Sequence, residues 1–91
     1  MLQIKISSKA ISDIENSIEW YNSQSDGLGE RFLNSIHETF MLIQSMPSAA
    51  SYAYDTVRYK VVKRFPYVIL YEHDEEHVYI YRVFNTYQKP T

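Results

Sequence analysis

VRYKVVKRFPYVILYEHDEEHVYIYRVF, residues 57–84, is the stretch that decides the fold of this chain. It divides into VRYKVVK, FPYVILYEH and HVYIYRVF, each rich in β-branched and aromatic residues and alternating in polarity. Alternation with a period of two is the mark of half-buried strands. Arg64, Phe65 and Pro66 turn the first segment into the second, and the charged run His73 to His77 closes the next hairpin. The segments carry Arg58, Lys60, Lys63, Arg64 and Arg82 in a chain of formal net charge −2. A cationic cluster on a sheet is therefore the first place to look for function.

Upstream, Leu2, Ile4 and Ile6 alternate with Gln3 and Lys5, which predicts a short strand over residues 2–6. Ser7 and Ser8 are suited to cap a helix, and Ala10 or Ile11, Ile14, Ile18 and Tyr21 recur at helical steps, so an amphipathic helix is expected over about residues 8–24. Gln24 to Gly27 form a turn, after which Leu28, Phe32, Ile36, Phe40 and Ile43 mark one face of a second helix that runs to Ser45 and is stopped by Pro47. The short connection makes the two helices an antiparallel hairpin. Residues 48–56, SAASYAYDT, show no clear period and are expected to be a connecting loop, and residues 88–91 a tail.

The element order β-α-α-β-β-β predicts an α+β fold, a helical hairpin packed on one face of a largely antiparallel four-stranded sheet with the other face open. Nine tyrosines, five of them in the strands, suit a half-wetted sheet because the phenol joins apolar area to a polar tip. At 91 residues the chain is shorter than the roughly 150 of a typical domain, which predicts one domain over residues 1–91. The chain contains no cysteine, which removes any disulfide framework or thiolate metal site and fits the cytoplasm. MLQIKISSK lacks an apolar signal core and the longest apolar run is Tyr67 to Tyr71, so neither a signal peptide nor a membrane span is expected.

Net negative charge argues against a general nucleic-acid binder. The charge is unevenly placed: residues 1–56 hold three Lys or Arg against seven Asp or Glu, and residues 57–91 hold six against four, so the helices are acidic and the strands basic. Strand alternation puts Arg58, Lys60 and Val62 on one face and Tyr59, Val61 and Lys63 on the other. Paired cations of this kind hold successive phosphates or stabilise a phosphorane, as a metal-free ribonuclease requires, and Arg82 would complete the cluster if it projected to the same side. Equally, the cations form a solvated face or receive an acidic partner segment through ion pairs. Binding is favoured over catalysis, because charged residues on a sheet face are common without chemistry.

The nearest acid or base to such a cluster is Tyr87, with Glu72 and His73 at the far end of their hairpin, but surface packing on the sheet is the favoured account of Tyr87. His73 and His77 flank acidic residues, but a spacing of four converges on a helix and not across a strand turn, so no metal or other cofactor is expected. No Gly-rich phosphate loop or GxSxG elbow is present. Trp20 and Phe32 are expected in the core at the tip of the helical hairpin, with Arg31 paired to Glu19 or Glu30; an exposed Trp20 would instead be a partner anchor.

Taken in order, Ala10, Asp13 to Ile14, Trp20 to Tyr21, Leu28-Gly29-Glu30-Arg31-Phe32, Pro47, Val57-Arg58, Phe65-Pro66-Tyr67, Ile69, Tyr71, Arg82-Val83-Phe84 and Pro90 resemble the RelE/ParE family of toxins from bacterial toxin-antitoxin modules. The resemblance spans nearly the whole chain. It implies a cognate antitoxin that wraps the toxin in a hetero-oligomer and hides its working surface. RelE-like members cleave messenger RNA on the ribosome, whereas ParE-like members inhibit DNA gyrase by binding it. Arg58 and Lys60 match the basic strand pair of the nucleases. Yet Val68 and Gln88 stand near positions where those members carry arginine, Asn85 stands where many relatives have histidine, and the segment that bears their C-terminal catalytic tyrosine is nearly missing. The longer helical hairpin is nearer to ParE.

Two sets of site residues follow. A nuclease would use Arg58, Lys60, Arg64, Arg82 and Tyr87; an antitoxin or target would be met by Arg58, Lys60, Tyr67, Tyr71 and Arg82. A ParE-like gyrase inhibitor is the reading preferred, ahead of a ribosome-dependent messenger ribonuclease and of a degenerate member that binds antitoxin without toxicity.

Overall fold

Ser7 starts the helical hairpin. Its hydroxyl accepts the Ala10 N–H at 3.0 Å and so caps α1, Ser8–Gln24, satisfying one of the amide donors that every helix start leaves free. A computed structural model, which describes residues 1–87, shows α1 followed by α2, Leu28–Ser45. Gly27 between them takes φ +82°, a left-handed conformation that favours glycine. The helices approach closely at Gly29, whose N–H donates to Asn22 Oδ1 at 2.9 Å and where an added Cβ would lie 2.6 Å from the Ile18 carbonyl oxygen. Met46 ends α2 by donating its N–H back to Leu42, and Pro47–Ala49 form one 3-10 turn.

The sheet has five strands: β1 (Gln3–Ile6), β2 (Tyr52–Tyr54), β3 (Val57–Val61), β4 (Tyr67–His73) and β5 (His77–Asn85), in spatial order β1-β5-β4-β3-β2. The expected four-stranded sheet is corrected here. Tyr52–Tyr54, within the stretch expected to be a loop, pairs antiparallel with β3 through a register irregularity. Three residues are too few to show a period, and an edge strand exposed on both sides has no buried face to impose one. All other neighbours are antiparallel except β1, which runs parallel to β5 with Ile4 opposite Val78 and Ile6 opposite Ile80.

Both helices cover one side of the sheet. Ala10, Ile14 and Tyr21 of α1 and Phe32, Ile36, Phe40 and Ile43 of α2 meet Val62, Tyr67, Ile69, Tyr71, Val78, Ile80 and Val83. At one end Tyr21, Phe32, Phe65 and Tyr67 form an aromatic cluster, with Phe32 and Tyr67 at 4.7 Å between ring centroids. Burial and the neighbouring Tyr67 hydroxyl push the Tyr21 phenol up to about 12. Trp20 is not core as expected: it is 56% exposed and touches Tyr21 edge-on at 5.0 Å. Tyr21, one residue on, is the side chain that α1 turns inward. Among the described residues no helix is long and apolar enough to cross a membrane.

Candidate functional site

The cations of the strands are distributed by register. Arg58 stands opposite Tyr71 and Lys60 opposite Ile69, and both of these partners are fully buried beneath the helices. Cross-strand neighbours project to the same side, so Arg58 and Lys60 share one side, as alternation predicts, and that side is the helix-covered one. Val62, the next residue on it, is itself core.

Arg58 is held at the rim where β3 meets the end of α2. Its guanidinium donates to the Ala50 carbonyl at 2.6 Å, to the Ser48 carbonyl at 3.2 Å and to the Tyr52 hydroxyl at 2.8 Å, and lies 4.1 Å from the centroid of the Tyr52 ring. The Tyr71 hydroxyl donates to the Pro47 carbonyl at 2.6 Å, and burial raises its pKa with Arg58 opposing. Two side chains from adjacent strands thus satisfy three carbonyls, those of Pro47, Ser48 and Ala50, in and just after the 3-10 turn that follows α2.

Arg82 is engaged elsewhere. β1 ends opposite Ile80, where Ser7 donates its N–H to the Ile80 carbonyl and its hydroxyl to the Tyr81 carbonyl. A register shift follows on β5, leaving Tyr81 without a partner on β4. Beyond it the bare edge of β5 is met by Asp13 of α1, whose carboxylate accepts from Arg82 Nε at 2.8 Å and from the Val83 N–H at 2.9 Å. This pair is mostly buried, and the Asp13 hydrogen bond raises the guanidinium pKa. Arg58 and Arg82 are therefore bound to different elements and do not form one cluster.

Arg64 lies in the β3–β4 turn at φ +70°, with one 3.5 Å contact to Glu38. Tyr67 and Tyr71 are buried on the helix side, so their rings belong to the core. Tyr87 is exposed, and its N–H donates to Asn85 Oδ1. Gln88, Pro90 and the tail expected over 88–91 lie outside the described residues.

The open side of the sheet is aromatic and aliphatic. Tyr59 and Val61 of β3, Val68 and Leu70 of β4, and Tyr79 and Phe84 of β5 occupy it, with Tyr59 38% and Val61 60% exposed. Its main anion, Glu72, accepts from the Thr56 and Tyr81 hydroxyls, and these bonds hold its carboxyl below the usual range. Burial and the bond to Glu72 lift Tyr81 to about 12. At the β4–β5 turn Asp74 accepts from the Glu76 and His77 amides and the Tyr79 hydroxyl, which lowers its pKa to about 2. His77 sits 3.9 Å from Asp74 and His73 3.3 Å from the Ser48 hydroxyl, and among the described residues no three His, Asp or Glu side chains converge on a metal position.

The sequence profile described as "ParE toxin of type II toxin-antitoxin system, parDE" matches residues 4–90. The chain belongs to the ParE toxin family. Its fold is also that of the chromosomal ParDE TA system from P. aeruginosa, with a TM-score of 0.81 at 17% identity over 93% of this chain and 96% of that one. No curated protein sequence matches it. The ParE assignment places the chain in a toxin-antitoxin module.

For a ParE-family chain the residues that sequence reasoning missed are Asp13 as the partner of Arg82, and Ser48, Ala50 and Tyr52 as the partners of Arg58. One signal was available. Val62 is apolar and lies on the same alternating face as Arg58 and Lys60, which marks that face as the core side. The partners of Arg58 carried none, since two of them are backbone carbonyls and report no side-chain type.

Proposed function

We propose that this ParE-family toxin works in the cytoplasm by binding DNA gyrase, and that a cognate antitoxin neutralises it by forming a hetero-oligomer over its exposed sheet. The observation that carries this reading is how the strand cations are used. Arg58 holds carbonyls of residues 48–50 and Arg82 holds Asp13, so neither guanidinium stands ready beside the other to neutralise a phosphorane. The open side instead offers Tyr59, Val61 and Tyr81, amphipathic and apolar groups of the type that dominates protein interfaces. Clustered exposure of this kind on a small chain fits a surface that a partner covers.

The test adds the purified chain, freed of antitoxin, to a gyrase supercoiling reaction and in parallel to a coupled translation reaction. Lost supercoiling with intact messenger is expected. Cleaved messenger with normal supercoiling would overturn the proposal in favour of a ribonuclease built on Arg58 and Lys60. No effect in either, with antitoxin binding retained, would leave a member without toxicity.

A further inference from the structure

A groove of about 540 Å³ runs between α2 and the β3–β4 turn. Leu28, Arg31, Asn34 and Glu38 line its helical wall, and Arg64 and Phe65 the facing wall. Two guanidiniums, Arg31 and Arg64, there border an apolar floor of Leu28 and Phe65. Among the described residues the Arg31 side chain has no hydrogen-bond or ion-pair partner, in contrast to the expected pairing with Glu19 or Glu30, and only its backbone N–H is engaged, with the Gly27 carbonyl. Arg64 has only its 3.5 Å contact with Glu38, in which both side chains are more than half exposed. Exposed pairs of that length are weak and readily exchanged.

The backbone at Arg64 adds a second observation. A left-handed φ of +70° places Cβ in steric conflict, and glycine or asparagine takes such a turn position more easily. An arginine there projects a long cationic side chain against α2 at a conformational cost. Glu38 shows which chemistry the site accepts, since one carboxylate of the chain already rests against Arg64. A nucleic-acid backbone would meet Glu38 and the negative net charge of the whole chain, whereas an isolated carboxylate followed by an apolar side chain matches two cations above Leu28 and Phe65.

We infer that this groove receives an acidic segment of the antitoxin, with a carboxylate held between Arg31 and Arg64 and an adjacent apolar side chain on Leu28 and Phe65. The inference rests on the toxin-antitoxin reading and gives it a location apart from the open sheet face. Glu38 is then a placeholder that the incoming carboxylate displaces.

The experiment co-expresses the chain with the protein encoded beside it, separates the two, and measures their affinity by calorimetry at low and high salt for wild type, R31E/R64E, R64G and E38Q. The double reversal is expected to weaken binding by about tenfold or more and to flatten its salt dependence. R64G is expected to weaken binding several-fold while the thermal midpoint of the free chain holds or rises, which separates lost contact from lost fold. E38Q, which removes the competing carboxylate, is expected to bind more tightly. Unchanged affinity in R31E/R64E would overturn the inference and leave the toxin-antitoxin reading intact. Absence of any complex with the wild type would overturn that reading and the inference with it. A short fluorescent single-stranded RNA bound by the wild type and lost in R31E/R64E would reassign the groove to phosphate and overturn the carboxylate assignment.

Discussion

Arg58 and Arg64 lie six positions apart at the two ends of the same strand and its turn, yet the molecule uses them in opposite ways. Around Arg58 the guanidinium is surrounded by acceptors: two carbonyls, a phenol oxygen and an aromatic face. Around Arg64 the backbone is strained and the side chain has one long contact. The first arrangement stabilises the fold by tying the 3-10 turn and the edge strand β2 to β3. The second uses backbone energy to present a charge. Residue type alone does not separate a structural arginine from one available to a ligand; the number of acceptors within reach does.

This contrast predicts a graded set of effects on stability, measurable by chemical denaturation of the free chain. The largest belongs to Asp13→Ala, because the carboxylate serves both Arg82 and the otherwise bare Val83 amide, and a loss of about 3 kcal/mol is expected from its charged, mostly buried hydrogen bonds. Arg58→Ala should cost about 2 kcal/mol by leaving the Ser48 and Ala50 carbonyls to water. A smaller change would place Arg58 with Arg64 and break the contrast. Tyr71→Phe deletes only the bond to Pro47 and should cost about 1 kcal/mol.

Arg64→Gly should go the other way, neutral or stabilising by up to about 1 kcal/mol, since relief of the left-handed strain opposes the entropy that glycine adds to the unfolded chain. A clear loss of stability would mean that the Glu38 contact matters more than its length implies. The smallest effect sharpens the comparison at an exposed turn. The Asp74 carboxyl is lowered from 3.8 to about 2 in the folded chain, so its contribution is fully present above pH 4 and is lost as pH falls toward 2. Acid titration of wild type against Asp74→Asn should show a stability gap that is constant near neutrality and closes across that window.

Much of the architecture was legible in the sequence because burial imposes periodicity. The bounds of α1 and α2 follow from apolar residues at helical steps together with Ser7, Gly27 and Pro47, each of which has a local physical reason to start or stop a helix. β4 follows from its run of β-branched and aromatic residues and β5 from alternation. β2 was not legible, since Tyr52–Tyr54 is short, exposed and fixed by its pairing with β3. Trp20 was misread because Trp20 and Tyr21 are both aromatic and adjacent, and which of them faces inward depends on a helix rotation of about 100° per residue set by Ile14 and Phe32. At the site, the shared side of Arg58 and Lys60 was readable, whereas the separation of Arg58 from Arg82 was not. That separation depends on a register shift at Tyr81 and on a carboxylate from α1, both long-range in sequence.

The position of Trp20 has a practical consequence. It is the single tryptophan of the chain, it stands more than half exposed at the tip of the helical hairpin, and its one aromatic neighbour is the buried Tyr21. With the indole more than half exposed, its emission in the folded protein is expected to be that of a wet indole, and unfolding is expected to shift its colour little. A blue shift on adding a partner would then mean that the partner has covered the hairpin tip, which makes the chain its own optical sensor for docking at that end and a silent one for docking on the opposite sheet face.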